Sequence, residues 1–401
     1  MSVLTILWNI VESAALLYLG IASVYIFVFA FAGLFRRSRV QSAAKKNTFA
    51  VMIPGYKEDE VIVEVARKAL EQDYPADHYR VFVIADSFQQ DTLKQLNSLP
   101  ISVIEVSFDK STKAKALNKA LEQIDTDFDA ALILDADNIM EAKFLEKINA
   151  AFNQGNKVVQ GRRVAKNSNT SFAILDGISE SINNHIFRQG HRALGLSSGI
   201  IGSGMAFDFS LFKELMHEIK AVGGFDKELE FRLFERGLFV EYIKEAVVYD
   251  EKIQQLGDFK NQRRRWLSTK SVYFSKFLGS ALRQFFLKGN LNMADKLYQM
   301  IMPPRVLLLG GVLAMAALKL VLDLAQWNTA VWFSAELWYG IAGLVVITFI
   351  ISTPKSYYTK QTFKAALSVP KAFVVMFGLL FKLKGANKTF IHTKHNSINN
   401  S

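Results

Sequence analysis

The hydrophobic pattern divides the chain into membrane-type stretches and one long segment of alternating order. Ile6 to Leu34 is almost continuously apolar, interrupted near its start by Asn9 and Glu12. About 20 residues cross a bilayer as a helix, so this stretch spans with tilt to spare. No basic region precedes it, and the run is too long for a signal peptide. Val306 to Leu324 and Val331 to Ser352 are each long enough to cross. Pro370 to Phe381 is apolar but short and is flanked by Lys371, Lys382 and Lys384, so an interfacial or re-entrant helix is expected there. Ser271 to Leu287 is amphipathic, with Lys276 and Arg283 among Tyr273, Phe274, Phe277, Phe285 and Phe286. That pattern predicts a helix lying on the membrane surface, the alternative being an ordinary core helix.

Between these stretches the period changes. Phe49 to Pro54, Tyr79 to Ala85, Ile101 to Val106 and Ala130 to Leu134 read as buried strands. Helical patterns at Glu60 to Gln72, Asp91 to Leu96 and Ala114 to Ile124 separate them. Strands alternating with helices predict an α/β domain with a mainly parallel sheet. Ligands of such sheets bind beyond the carboxyl ends of the strands. Glu58, Asp86, Asp135 and Asp137 follow three of those strand ends. A single carboxylate there often caps a helix; three strands delivering carboxylates to one edge is a functional pattern.

Charge gives the membrane segments a direction. Arg36, Arg37, Arg39, Lys45 and Lys46 follow the first span, and the tail after Ser352 holds eight lysines and no acidic residue. The positive-inside rule then puts the N-terminus outside and the α/β domain in the cytoplasm. The link Ala325 to Ala330, without Lys or Arg, suits an external turn. The net charge of +11 is explained by lysines beside spans and anionic lipids rather than by nucleic acid. The absence of cysteine excludes disulfides, thiolate metal sites and cysteine nucleophiles. A bacterial inner membrane is the expected location.

Asp135 and Asp137 lie two apart after a strand, and in extended geometry they point the same way. Two such carboxylates suit a hard divalent cation that takes further ligands from phosphates; the alternative is a turn in which they bond nearby amides. Gln160-Gly-Arg162-Arg163 follows an apolar strand and is open to three roles: contact with either of two ligands, or a solvated edge. His392 and His395 make a poor metal site, having no carboxylate nearby in sequence, and read as part of a solvated tail.

As a set, the residues resemble family 2 glycosyltransferases of GT-A fold, in layout the membrane synthases of the cellulose, chitin and hyaluronan type. The resemblance rests on Pro54-Gly-Tyr-Lys-Glu58, Ala85-Asp86-Ser87, Lys113-Ala-Lys115-Ala-Leu-Asn118, Asp135-Ala-Asp137, Gly202-Ser-Gly204, Asp226-Lys-Glu228-Leu and Gln262-Arg-Arg-Arg265-Trp266. It implies a Rossmann-like cytosolic domain over 47–270, after a membrane and juxtamembrane segment at 1–46. Interfacial helices would occupy 271–300, two spans 301–353, and a basic segment 354–401. It implies a donor site at Pro54, Tyr56, Glu58, Asp86, Lys115, Asn118 and Asp135, with Lys115 a phosphate contact. Asp137 and Asp135 would hold Mg²⁺ or Mn²⁺. Asp226 would be the general base, with Glu228 as a fallback because Phe225 replaces the acid that usually precedes the base. Gly202, Ser203, Gly204 and Trp266 would meet the acceptor, and Gln262, Arg265 and Trp266 would lie over the donor diphosphate. The implied reaction is inverting transfer from a nucleotide-sugar, with UDP the expected nucleotide. The acceptor would be a growing β-linked saccharide or a lipid receiving one sugar, and an export partner is conceivable for a polymer. The rival from another class is a membrane-anchored binding protein without catalysis.

Overall fold

In the computed structural model, residues 3–37, 43–125, 127–254, 256–326 and 332–382 are described. Arg39, Lys384, His392 and His395 lie outside them. In chain order the elements begin with helix α1 (Val3–Phe35), strand β1 (Phe49–Tyr56), α2 (Ile62–Ala69), β2 (Tyr79–Asp86) and α3 (Gln90–Asn97). Then come β3 (Ser102–Val106), α4 (Lys113–Gln123), β4 (Ala130–Ile133), β5 (Ile139–Met140), α5 (Phe144–Asn153) and β6 (Val158–Ala165). After α6 (Ser171–Asn183) follow β7 (Met205–Asp208), α7 (Phe209–Glu218), α8 (Phe225–Glu235) and β8 (Glu241–Asp250). The rest is helical: α9 (Leu256–Lys288), α10 (Leu291–Ile301), α11 (Arg305–Leu324), α12 (Ala335–Ser352), α13 (Lys360–Ala366) and α14 (Val369–Leu380).

The strands form one sheet in the order β3-β2-β1-β4-β7-β6-β8-β5. Pairings are parallel from β3 to β4 and between β6 and β8, and antiparallel where β7 and β5 join. The parallel half is the one legible as apolar runs, since its strands are covered on both faces. Alternation along β1 shows the two layers. Ala50 and Met52 face a core with Leu117, Phe212 and Phe231, whereas Phe49, Val51 and Ile53 face Ile62, Val65 and Phe144.

Helix α9 runs across residue 270 without a break. Its Tyr273, Phe277 and Ala281 are buried in the domain's core, with Phe277 stacked on Phe231 at 4.5 Å between centroids. Val272, Leu282 and Phe286 on the same helix are exposed. One face is therefore a core face, and the other is uncovered, with these apolar residues beside exposed Ser275, Lys276 and Arg283.

Among the described residues three helices, α1, α11 and α12, are long and apolar enough to cross a membrane. Helices α13 and α14 reach that length only as a pair bent by 40°, the geometry of a broken span or re-entrant loop. Glu12 on α1 is fully buried, pairs with Lys319 of α11 at 2.7 Å and accepts from Trp338 Nε1 of α12 at 2.9 Å. A carboxylate at that depth needs such partners, and these tie the three helices together. At its other end α1 docks on the α/β domain. Beyond α6 a π turn (Asn184–Gly190) brings Gln189 Nε2 to the Gly33 carbonyl at 2.6 Å. A Cβ at Gly190 would sit 2.1 Å from the Phe29 carbonyl oxygen, so only glycine permits that approach.

Candidate active site

A cavity of about 820 Å³ opens beyond the carboxyl ends of β1, β2 and β4. Pro54, Tyr56 and Glu58 line it from the end of β1, Asp86 from β2, and Asp135 and Asp137 from the loop after β4. The backbone turns sharply at two of these ends: Lys57 and Ser87 both take the left-handed conformation, with φ of 56° and 61°. Lys57 N–H donates to the Asp86 carbonyl at 3.1 Å, locking the two loops together.

Asp135 and Asp137 converge on the cavity through a turn rather than an extended strand. β4 ends at Ile133, and the Asn138 N–H donates to the Asp135 carbonyl at 3.1 Å. Asp137 is 7% exposed, and Asn138 Nδ2 donates to its Oδ1 at 3.0 Å. Asp135 pairs with Lys113, whose ammonium also donates to the Gly202 carbonyl at 2.8 Å. Among the described residues no group of three or more His, Cys, Asp or Glu side chains is arranged to hold a metal. Two hard oxygen donors beside a cavity still fit a divalent cation completed by water and phosphate.

Two donor-site expectations are corrected. Lys115 is exposed, and its ammonium donates to the Lys110 carbonyl at 2.9 Å, away from the cavity. Asn118 reaches the Ile219 carbonyl at 3.5 Å and does not line the cavity. The cause is helix phase. Thr112 caps α4, its hydroxyl accepting from the Lys115 N–H at 3.2 Å, so the helix begins at Lys113 and directs that side chain, not Lys115, at the site.

The Gly-Ser-Gly loop is corrected in part. Gly202 lines the cavity; Ser203 and Gly204 do not. Ser203 is fully buried, accepting from the Asp135 N–H at 2.9 Å and donating to Asn138 Oδ1 at 2.5 Å. Gln160 donates to the Ser203 and Gly204 carbonyls, each at 3.0 Å. Both therefore position the aspartate loop. Arg163 enters a buried network with Glu180 at 2.9 Å and Asp250 at 3.7 Å. Burial would raise the Glu180 carboxyl, but Arg163, Arg188 and Lys252 hold it well below the usual range.

Asp226 lies in the first turn of α8 and lines the cavity. The helix starts from Gly224, whose φ of 68° and contact with Thr269 leave no room for a side chain. Burial pushes the Asp226 carboxyl up, but the Lys227 ammonium 2.9 Å away outweighs it and holds the group below its ordinary value. It is thus ionised at neutral pH. Glu228 points elsewhere: it pairs with Lys276 at 2.6 Å, is almost fully buried and does not line the cavity. The fallback assignment to Glu228 therefore has no geometric support.

From α9, Gln262, Arg265 and Trp266 line the opposite wall. Burial lowers the Arg265 guanidinium, while Asp135 and Asp226 act on it electrostatically in the other direction. Arg263, which the sequence reading left without a role, pairs with Asp176 and stacks over Trp266 at 4.4 Å.

A mostly parallel α/β sheet with carboxylates at one edge, faced by a basic and aromatic helix, is the architecture of a GT-A glycosyltransferase. Residues 46–269 match the family described as Glycosyltransferase like family 2, and the chain belongs to that family. A search of curated protein sequences finds no match. Among solved structures, the chain is similar to the mannosyltransferase PcManGT from Pyrobaculum calidifontis, seen with GDP-Man and Mn²⁺. The two share 16% identity and a TM-score of 0.53, over 91% of this chain and 98% of that one. It also matches TarS from S. aureus with UDP-GlcNAc at 14% identity and a TM-score of 0.38, over 74% of this chain and 90% of that one. A third match is glucosyl-3-phosphoglycerate synthase from Mycobacterium tuberculosis, at 16% identity and a TM-score of 0.37, over 57% and 80% of the two chains.

Proposed function

We propose that the protein is an inverting hexosyltransferase at the cytoplasmic face of a membrane, with its N-terminus outside. It would move a sugar from a nucleotide-sugar to an acceptor hydroxyl. The observation that carries this reading is the single cavity shared by Glu58, Asp86, Asp135, Asp137, Asp226, Gln262, Arg265 and Trp266. Glu58 and Asp86 offer acceptors to a nucleoside, and Lys113 and Arg265 offer positive charge to a diphosphate. Asp135 and Asp137 would hold Mg²⁺ or Mn²⁺, which neutralises charge on the leaving group when bound. Asp226, kept ionised by Lys227, takes the proton of the attacking hydroxyl. Attack opposite the leaving group inverts the anomeric centre, turning an α-linked donor into a β-linkage.

For the acceptor, the geometry favours a membrane-borne molecule. The cavity continues past Trp266 to Val306 and Leu309 of α11, Phe349 of α12 and Met376 of α14, at the level of the membrane helices. Synthesis of a β-linked polysaccharide is the second reading, favoured by Gln262 and Trp266 on the cavity wall. The test is nucleoside diphosphate release by the full chain in nanodiscs, across UDP- and GDP-sugars, with Mg²⁺, Mn²⁺ or chelator. Release from one donor, abolished by chelator and by Asp137→Asn, is expected. Binding of donors without any release, with lipid and saccharide acceptors supplied, would favour the non-catalytic rival.

A further inference from the structure

The membrane end of the cavity carries charge that the donor does not account for. Arg305 is the first residue of α11, and Lys270 lies one turn beyond Trp266 on α9; both line the cavity. Arg305 donates through Nη2 to the Ser179 carbonyl at 3.0 Å and hydroxyl at 2.9 Å, while its buried Nη1 has no hydrogen-bond partner among the described residues. Lys270 donates to the Met302 carbonyl at 3.2 Å. Among the described residues neither forms an ion pair, although nearby Lys227, Arg263 and Lys296 each do. The charges bearing on Lys270 are Lys296, Arg305 and Lys227, all cationic. Asp176 and Glu180 also act on Arg305, but each is already paired, Asp176 with Arg263 and Glu180 with Arg163 and Arg188. Arg305 and Lys270 are thus half-buried cations with no ion pair of their own among the described residues, and a cavity lined by two such cations suits an anion.

Two features identify that anion's carrier. Beyond Arg305 the lining turns apolar, through Val306, Leu309, Ala372 and Met376. In the other direction Lys227, which bears on Lys270, is paired with Asp226. The anion thus sits between a site for an apolar chain and the catalytic carboxylate.

We propose that Arg305 and Lys270 bind the phosphate of a lipid acceptor, one whose reacting hydroxyl is joined to its apolar chain through a phosphodiester or diphosphate. This rests on the transferase reading above and deepens it. Arg305 presents a planar fork to two phosphate oxygens, and Lys270 adds a point charge. With the phosphate held there, the headgroup projects toward Asp226. The acceptor oxygen bonds to the anomeric carbon, and the bond from that carbon to the donor diphosphate breaks. The diphosphate leaves with the bonding pair, and the hydroxyl proton passes to Asp226.

The test uses the full chain in nanodiscs of neutral galactolipid. Calorimetric titration with short-chain phosphatidylinositol, a galactolipid of equal chain length and inorganic phosphate measures binding. The phosphatidylinositol should bind best, and Arg305→Gln and Lys270→Gln should each weaken it about tenfold or more. Arg305→Lys should retain part of the affinity, which separates lost charge from misfolding, and thermal melts check the fold of each variant. Equal binding of the galactolipid, equal binding of inorganic phosphate, or unchanged affinity in both glutamine variants would overturn the proposal. So would a raised donor KM without a change in lipid affinity, because the cations would then serve the donor. If the wild type turns over no donor, the transferase reading falls while these binding arms still decide the phosphate site.

Discussion

At the donor end of the cavity, Glu58, Asp86, Asp135 and Asp137 sit at or just beyond a strand end, and Lys113 opens a helix that begins beside them. At the membrane end the groups come from helices far apart in sequence: Ser179 of α6, Lys270 of α9, Lys296 of α10 and Arg305 of α11. The donor end is rich in carboxylates, with Lys113 paired to Asp135. At the membrane end Lys270 and Arg305 form no ion pair among the described residues, while Asp176 and Glu180 there are taken up by Arg263 and Arg163. One end is therefore suited to a cation and a diphosphate together, and the other to an anion arriving alone. Asp226 stands where the two meet, a position that fits a group acting on the acceptor while the donor is in place.

The strongest way to break this division is at Asp226. Asp226→Asn should lower kcat by about 10² to 10⁴-fold, the usual contribution of a positioned base. Glu228→Gln, two residues on, should leave kcat within about threefold and instead cost about 1–3 kcal/mol of stability through loss of the Lys276 pair. Steady-state kinetics and thermal melts on both variants separate the roles. Equal losses of kcat would remove Asp226 from its place at the junction.

Gly224→Ala tests the same junction through the backbone. Its φ of 68° disfavours a side chain, and the new Cβ would meet Thr269 Cγ2 at 2.4 Å. Moving the start of α8 displaces Asp226, and a misplacement near 1 Å can cost about 10²-fold in rate. The expected signature is reduced kcat with donor KM little changed. A variant with full activity would show that α8 is free to shift.

The contrast between the ends also explains what the sequence could reveal. β1, β2 and β4 are apolar runs whose carboxylates follow directly, so strand and site residue are read from the same few positions. Gln262 to Trp266 were recognisable as a motif on one helix turn. The short antiparallel strand β7, only Met205–Asp208, has no distinctive period. Ser203 looked like an acceptor contact because its two glycines imply open space, whereas tertiary packing buries it against Asn138. Arg305 and Lys270 gave no joint signal, since only the folded helices bring them together. Their individual positions, one before an apolar span and the other on an amphipathic helix, match what lipid contact alone would predict.

One miss was avoidable and supplies a direct test. Thr112 is a strong helix-capping residue, and placing it at the cap puts Lys113 in the first turn. Lys113→Met should raise donor KM about tenfold, as expected for a charge-assisted contact. Lys115→Met should change it less than about twofold, its ammonium being bound to the Lys110 carbonyl. Donor titrations of the two variants would reverse the assignment if Lys115 proved the sensitive one.

The smallest effect is expected from pH at the membrane end. Burial lowers Lys270 from 10.5 to about 8, and Lys296, Arg305 and Lys227 push in the same direction. Its charge is therefore lost as pH rises through about 8, and affinity for a phosphate-bearing lipid should fall several-fold between about pH 7 and 9. Unfolding is not the cause at this group. A lysine with a lowered folded value binds fewer protons than the unfolded chain between about 8 and 10.5, so stability at this site rises with pH. Lys270→Arg should flatten the profile, because a guanidinium stays charged throughout. Donor affinity measured in parallel should stay level over the same range, with Asp226 held ionised below its ordinary value. A parallel fall in donor affinity would mean that the two ends share their cations, and the division between them would not hold.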